Sequence, residues 1–484
     1  MRCFFWCHAI RLPPEGGTPN KISQGAVRFG SVRRYALALA VCACVLPKAP
    51  AQGLSSPRFL ENRTYDLGSL IELGLSSNPT TRAAWFHARA ASAAVGEARA
   101  PYYPKITAQF EGGSDQWYTP AANAPDNFRR EQATTVLSLE FLLLDFGRRA
   151  ADVKATVAAF DAAGLAYERQ LQEVVFAVQS AYFRHEAALA RNDAVRRLRE
   201  AAAVASKTIE KEVASGLAAR PAWLDAQRRL LEADYECESA AAGVQITLGN
   251  LCVAAGLPAN SALRLASSQP GPTEGIRQKA GALIASALAA RPDLAARAAD
   301  VRAREAAVAR AKADFLPEVR LEGKYAYSAF GYAARAGRTE GTYAEDLNGY
   351  GAFLVAKWDL FDGFERVARE KRKKAEAAAA SEDLESARLD TTQEVWIAYQ
   401  ENLRSASRVE FSEALVASAK ENDEALQAAY RGGLASVAEL TEAASQLAMA
   451  KSTQATALAE YSTSLASLSL AIGSPIDRPK SRRP

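Results

Sequence analysis

Histidine is nearly missing from this chain: three in 484 residues, His8, His87 and His185, none with a cysteine or second histidine at metal-ligand spacing. No glycine-rich phosphate loop and no G-x-S-x-G elbow occurs either, so the common seats of nucleotide, metal and acyl-transfer chemistry are lacking. Charge of one sign is also wanting. The 59 basic and 55 acidic residues are spread along the sequence and leave a net +4, which gives no footprint for nucleic acid. These absences argue against an enzyme and imply no cofactor.

Long apolar runs are scarce. The best, Ala36 to Leu46 inside "RRYALALAVCACVLPKAPA", has about half the ~20 residues a membrane helix needs. Two arginines before it and Ala49-Pro50-Ala51 after it give the layout of a secretory signal. Four of the six cysteines lie in or before this segment. "VCAC", ending at Cys44, resembles a lipoprotein cleavage box, so lipidation at Cys44 stands beside cleavage after Ala51. The other two, Cys237 and Cys252, fall on one expected helix. Fifteen residues at ~1.5 Å each hold them too far apart to bridge.

What the chain has is a second copy of itself. Asn78-Pro79 matches Arg291-Pro292 and Pro104 matches Pro317 at an offset of 213 residues. Farther on the offset is 217: Asp145 with Asp362, Tyr182 with Tyr399, Gly216-Leu217 with Gly433-Leu434. The change falls between residues 112 and 132 in one copy and 329 and 348 in the other, which marks an exposed loop there. The organisation is therefore an N-terminal extension and signal at 1–51, a first repeat at 52–266, a Pro/Gly linker at 267–275, a second repeat at 276–475 and a tail at 476–484.

Each repeat reads as helix, strand, loop, strand, very long helix, helix. From about Arg148 to Ser215 there is no proline, and apolar residues recur at Leu171, Val175, Val178, Tyr182 and Leu189 with His185 in the same series. That is a coiled-coil seam on a rod of roughly 100 Å, too long for a globular core. Pro104 and Pro317 lack the N–H that would continue a helix and turn the chain into a strand. Gly216 and Gly433 stand where a tight helix-to-helix reversal requires positive φ.

The strands carry the decisive pattern. Val319, Leu321, Gly323, Tyr325 and Tyr327 alternate with Glu318, Arg320, Glu322, Lys324 and Ala326, and Leu139 and Phe141 alternate with Ser138 and Glu140. One apolar and one ionic face over ~10 residues suits a strand with lipid on one side and water on the other. Four strands close no membrane barrel, so subunits must share one. Two chains would give eight strands and a filled interior, three would give twelve and an aqueous lumen.

The order of motifs "SSNPT", "YYP", "LLLDFGRR" and "SGLAARPAWLDAQ", repeated as "AARPD", "FLP", "DLFDGFER" and "RGGLASVAELTEA", resembles the TolC-like outer-membrane factors of Gram-negative bacteria over residues 60 to 475. The resemblance implies a mainly α fold with β: a homotrimer whose long coiled-coil helices form a periplasmic α-barrel below a shared twelve-stranded transmembrane β-barrel. It implies an exit duct in outer-membrane lipid, served by a periplasmic adaptor and an inner-membrane pump of the RND or ABC type. Small-molecule efflux is the leading cargo and type I polypeptide secretion the alternative. It places a pore aperture at Glu439, Glu442 and Asp225, adaptor docking at Gly216, Leu217, Gly433 and Leu434, and lipid contact at Val319, Leu321, Tyr325, Leu139 and Phe141. A reading of another class, a periplasmic coiled-coil protein with soluble hairpin caps, differs from it in having no use for the apolar strand face. The basic run "EKRKK" at 370–374 is expected to be a solvated helix start or a contact with an anionic surface.

Overall fold

The computed structural model describes residues 63–118, 127–266, 278–336 and 339–474. The expectations for the signal segment, for Cys44, for the 267–275 linker and for the 476–484 tail lie outside them.

The first repeat runs β1 (Thr64–Tyr65), α1 (Leu67–Ser77), α2 (Pro79–Arg99), a 3-10 turn at Ala100–Tyr102, β2 (Lys105–Tyr118), β3 (Asn127–Leu144), α3 (Arg148–Ala214), α4 (Arg220–Ala254) and β4 (Arg264–Leu265). The second runs α5 (Ala280–Ala290), α6 (Pro292–Ala313), β5 (Glu318–Ala336), β6 (Thr339–Lys357), α7 (Glu365–Arg431) and α8 (Val437–Ile472). The single leading helix expected in each half is two. A residue before proline is pushed out of the α region, and Asn78 and Arg291, at ψ 126° and 124°, both obey. Asn78 then caps α2 by accepting from the Thr80 N–H at 2.9 Å, with Pro79 in the first turn where its missing N–H costs nothing.

Each break is also the place where its repeat closes on itself. The Asn78 amide donates to the Ala254 carbonyl at 3.2 Å, and the Arg291 guanidinium donates to the equivalent carbonyl, that of Ala471, at 3.2 Å. Gly256 and Gly473, both at φ 78°, lie against these residues. A Cβ on Gly256 would sit 2.7 Å from the Asn78 nitrogen, and one on Gly473 would sit 3.0 Å from Arg291 Cγ. In the first repeat, β1 pairs with β4 in parallel over a core of Leu70, Leu73, Val178, Tyr182, Leu251, Cys252 and Leu263. Leu283, Ala287, Val395, Leu468 and Ile472 form the second core. Cys237 and Cys252 share α4 and are unbridged.

α3 starts and ends where the sequence places it, and it is the spine of the molecule. It packs on α2, α4, α6 and α8, while α7 lies against α6 and α8. Near the sheet the helical layer is therefore α2-α3-α6-α7, and toward the far end it is α4-α3-α8-α7. Because α3 is covered on several sides, its inward residues do not follow one seam. Val174, Val178, Tyr182 and His185 are buried, whereas Leu171, Val175 and Leu189 of the expected seam are half-buried. Alanines at 151, 158, 194, 202 and 205 fill the closest approaches.

Four strands form one antiparallel sheet in the order β2-β3-β5-β6. Register aligns Ile106, Leu139, Gly323 and Ala352 in one row and Ala108, Leu137, Tyr325 and Tyr350 in the next. Phe141, Leu321 and Leu354 form another row of the same face, and beyond it an irregularity between Leu142 and Leu144 sets Val319 opposite Leu144. The other face carries rows such as Lys105, Glu140, Glu322 and Phe353.

The expected loops between 112 and 132 and between 329 and 348 are mostly strand instead. Only 119–126 and 337–338 separate the described strands, which reach 14 to 19 residues where about ten were expected. The reason is that the polarity pattern changes while the backbone ladder does not. From Val319 to Tyr327 one face is apolar, roughly 26 Å at ~3.3 Å per residue. Beyond it Ser114, Glu131 and Asp346 occupy that same face. Glycine and acidic residues there imitate a loop, yet the strands continue, with Arg130 and Asp115 paired across them at 2.6 Å.

Candidate functional site

The end of the helical layer remote from the sheet holds the residues expected at an aperture. α3 finishes in a reversal where the Gly216 N–H reaches the Val213 carbonyl at 3.1 Å and the Leu217 N–H reaches that of Glu212 at 2.8 Å, a Schellman closure with Gly216 at φ 78°. α7 finishes in the same way, with Gly433 at φ 72° and the Leu434 N–H on the Ala429 carbonyl at 2.9 Å. The two leucines are pushed outward, 84% and 88% exposed. Pro104 and Pro317 sit at the opposite end, each the residue before its strand.

The three acidic residues expected at the aperture do not share one role. Glu439 is the third residue of α8 and closes a capping box: the Ser436 N–H donates to its carboxylate at 2.7 Å, and its own N–H donates to Ser436 Oγ at 3.3 Å. The Ser436 backbone donor holds its pKa below the usual carboxylate value. Asp225 accepts from Arg228 at 2.8 Å and Arg229 at 3.0 Å, bonds that lower its pKa as well. Arg229 reaches across to Glu442 at 3.1 Å. One arginine thereby brings together Asp225 of the first repeat and Glu442 of the second, and with Arg228 also on Asp225 neither of these two carboxylates stands as a bare charge. Arg229 escaped sequence reading because its partner is 213 residues away; its spacing of four from Asp225 on one helix was the available sign.

At the sheet end, both strand-to-helix turns use one device. Asp145 accepts from the backbone N–H of Arg149 at 2.8 Å and from its Nε at 2.9 Å, and the guanidinium goes on to the carbonyls of Leu142 and Pro101 and over the ring of Tyr102. Asp362 and Arg366 repeat this, with bonds of 3.1 and 2.7 Å and Phe315 as the covered ring. Two successive left-handed residues make the corner each time, Phe146-Gly147 in one repeat and Gly363-Phe364 in the other. The sign in the sequence was an Asp-x-x-x-Arg at the same repeat position.

Nearby, α3 is tied to the second repeat. Arg148 meets Asp314 at 3.0 Å and Glu318 at 3.2 Å, and Asp152 meets Arg310 at 3.1 Å. The basic run 370–374 lies in α7 and pairs with its own helix, Lys374 with Glu370 and Lys373 with Glu376, both at 2.8 Å. Among the described residues no group of His, Cys, Asp and Glu could hold a metal ion, and no helix is long and apolar enough to cross a membrane.

The family model for the outer membrane efflux protein matches residues 70–257 and 283–474, which are the two repeats. Protein CyaE of Bordetella pertussis is 30% identical over 355 residues, 71% of each chain. Among solved structures, the Campylobacter jejuni CmeC outer membrane channel superposes with a TM-score of 0.70 at 16% identity, over 84% of this chain and 85% of that one. The open state of the Neisseria gonorrhoeae MtrE outer membrane channel gives 0.66 at 17% identity, over 84% and 89%. The chain belongs to the outer membrane efflux protein family and is a TolC-like channel of the outer membrane with a long periplasmic helical domain, not an enzyme.

Proposed function

We propose that three copies of the chain close into one tube and serve as the passive exit duct of a tripartite export system. The observation that carries this is the sheet, in which, among the described residues, β2 and β6 each have a partner on one side only while a single face is apolar. Edges left open in lipid cost several kcal/mol per unsatisfied backbone group. α2 leads into β2 and α7 leaves β6, so the open strand edges and the open helix edges coincide. Joining one edge to the opposite edge of the next copy makes a heterologous contact that must close as a ring. Twelve strands leave the aqueous lumen that eight would fill.

In this reading Val319, Leu321, Tyr325, Leu139 and Phe141 meet outer-membrane lipid. Leu217 and Leu434, held outward by Gly216 and Gly433, dock the periplasmic adaptor that couples the duct to an inner-membrane pump. Asp225 and Glu442, tied by Arg229, line the aperture, and Glu439 serves as a cap behind them. The efflux named in the family description supports small molecules as cargo, delivered by a pump of the RND type. A polypeptide from an ABC-type exporter would use the same wall.

Purification in detergent, mass determination and planar-bilayer recording test this together. A trimer that conducts weakly, and more strongly once Arg229→Ala unties the aperture, is expected. A monomer that extracts with salt alone would overturn the duct. Reconstitution of export beside the chromosomally neighbouring pump decides cargo: drug resistance restored supports the assignment, and polypeptide release without resistance replaces it by secretion.

A further inference from the structure

We infer that the ionic contacts seen inside one subunit are the template for those between subunits, and that two pairs with inverted charge dictate which repeat meets which. This rests on the ring proposed above. In such a ring every junction joins the start of a long helix to the helix-to-strand turn of the following repeat, so junctions inside a subunit alternate with junctions between subunits.

The strand register of the two repeats matches at the sites concerned. The β2–β3 pair Lys105 with Glu140 becomes, at offsets of 213 and 217, Glu318 with Lys357, which is the pair found in β5–β6. The inner junction is made by Arg148 with Glu318 at 3.2 Å and Asp152 with Arg310 at 3.1 Å. The repeat equivalents of Arg148 and Asp152 are Glu365 and Arg369, and those of Glu318 and Arg310 are Lys105 and Glu97. The outer junction therefore brings Glu365 to Lys105 of the next copy and Arg369 to its Glu97. Both pairs are again opposite in charge, with each sign reversed.

The reversal matters for assembly while chains are still folding, before α3 and α6 of one subunit have closed on each other. Were a first repeat to meet a first repeat, Arg148 would face Lys105 and Asp152 would face Glu97. Were a second to meet a second, Glu365 would face Glu318 and Arg369 would face Arg310. Every wrong junction sets like charges together and both right ones set opposites together, which is discrimination by repulsion as well as attraction. The residues are in place for this use. Glu97, Lys105 and Glu365 are exposed in the single subunit, and Arg369, which there holds Asp314 and Glu365, is only half-covered. Two further inner pairs take no part: Arg148 with Asp314 at 3.0 Å has Glu365 and Pro101 as its equivalents, and Arg302 with Asp161 at 3.8 Å has Arg89 and Ala378.

The same transfer sets the strand seam. Leu139 pairs with Gly323 inside the subunit, so Ala356 pairs with Phe110 of the next copy, apolar face to apolar face.

A double-mutant cycle on the full-length protein in detergent tests the charge code. The readout is the temperature at which the trimer dissociates on native gels. Lys105→Glu and Glu365→Lys are each expected to lower it, acting at three junctions per trimer, and the double swap is expected to return it toward the wild-type value. Losses that simply add in the double swap would overturn the inference. The seam gives a readout independent of stability. With Cys237→Ser and Cys252→Ala as background, Ala356→Cys with Phe110→Cys should cross-link to a covalent trimer and Ala356→Cys with Glu97→Cys should not; the reverse pattern would overturn it. A wild-type monomer would instead defeat the ring itself, which separates the two failures.

Discussion

His185 shows how a single position can be conserved in geometry and altered in chemistry between the halves of one chain. Its ring is buried, and Nδ1 lies in hydrogen-bonding contact with Thr247 Oγ1 at 3.0 Å. At the equivalent place in the second repeat, Asn402 donates to Ser464 Oγ at 2.9 Å. Both bonds tie a long helix to the returning helix of its own repeat, but only the first can titrate. Burial lowers the His185 pKa below its ordinary value of about 6.5. The unfolded chain therefore binds a proton at a higher pH than the folded one, and stability falls as pH drops below about 6.5 toward the folded value. His185→Asn should flatten that segment of the thermal stability profile between pH 7 and 5 while keeping the bond to Thr247. An unchanged slope would clear His185 of the effect. At this scale the sequence showed least: Asp225 and Glu442 could be named for the far end of the helices, but Arg229 between them and the capping duty of Glu439 depend on where helices cross and where α8 begins.

Among the elements, what was legible followed from local rules. The span of α3 could be read because proline is absent and a helix continues until something stops it. The faces of β3 and β5 could be read because alternation has only two phases, and the observed rows keep Leu139, Phe141, Leu321 and Tyr325 together. What failed was length, since a ladder of backbone bonds is indifferent to the polarity change above Tyr327. The break at Asn78-Pro79 was readable in principle but was used only to align the repeats. Two outcomes belong here. Gly256→Ala should cost about 1–3 kcal/mol, because its φ of 78° is strained for alanine and the new methyl would press on the Asn78 backbone. Chemical denaturation measures it; a neutral result would mean that the kink does not need this close approach. Leu139→Lys, at the middle of the apolar face, should cost ~2–4 kcal/mol in a lipid-facing strand. Ser138→Lys on the other face should be tolerated. Equal recovery of both variants as trimers in the outer membrane would remove lipid from that side.

For the molecule as a whole, duplication is the fact from which most of the rest follows, and it was the most legible fact of all. Two offsets, 213 and 217, aligned the corresponding turns and hairpins without any knowledge of packing. They could not show that α3 would be the spine while α7 became an edge, because equal sequences come to occupy unequal places once one repeat must follow the other. The four extra residues between the offsets fall where both hairpins have already risen past their apolar stretch. Strand that outlasts its greasy band has to stand clear of the membrane, so part of each hairpin, braced in the first by Arg130 and Asp115, would form a collar on the cell's outer surface. An epitope spliced between Tyr118 and Asn127 would then be read by antibody on intact cells, making the least apolar portion of the sheet the face by which this duct is seen from outside.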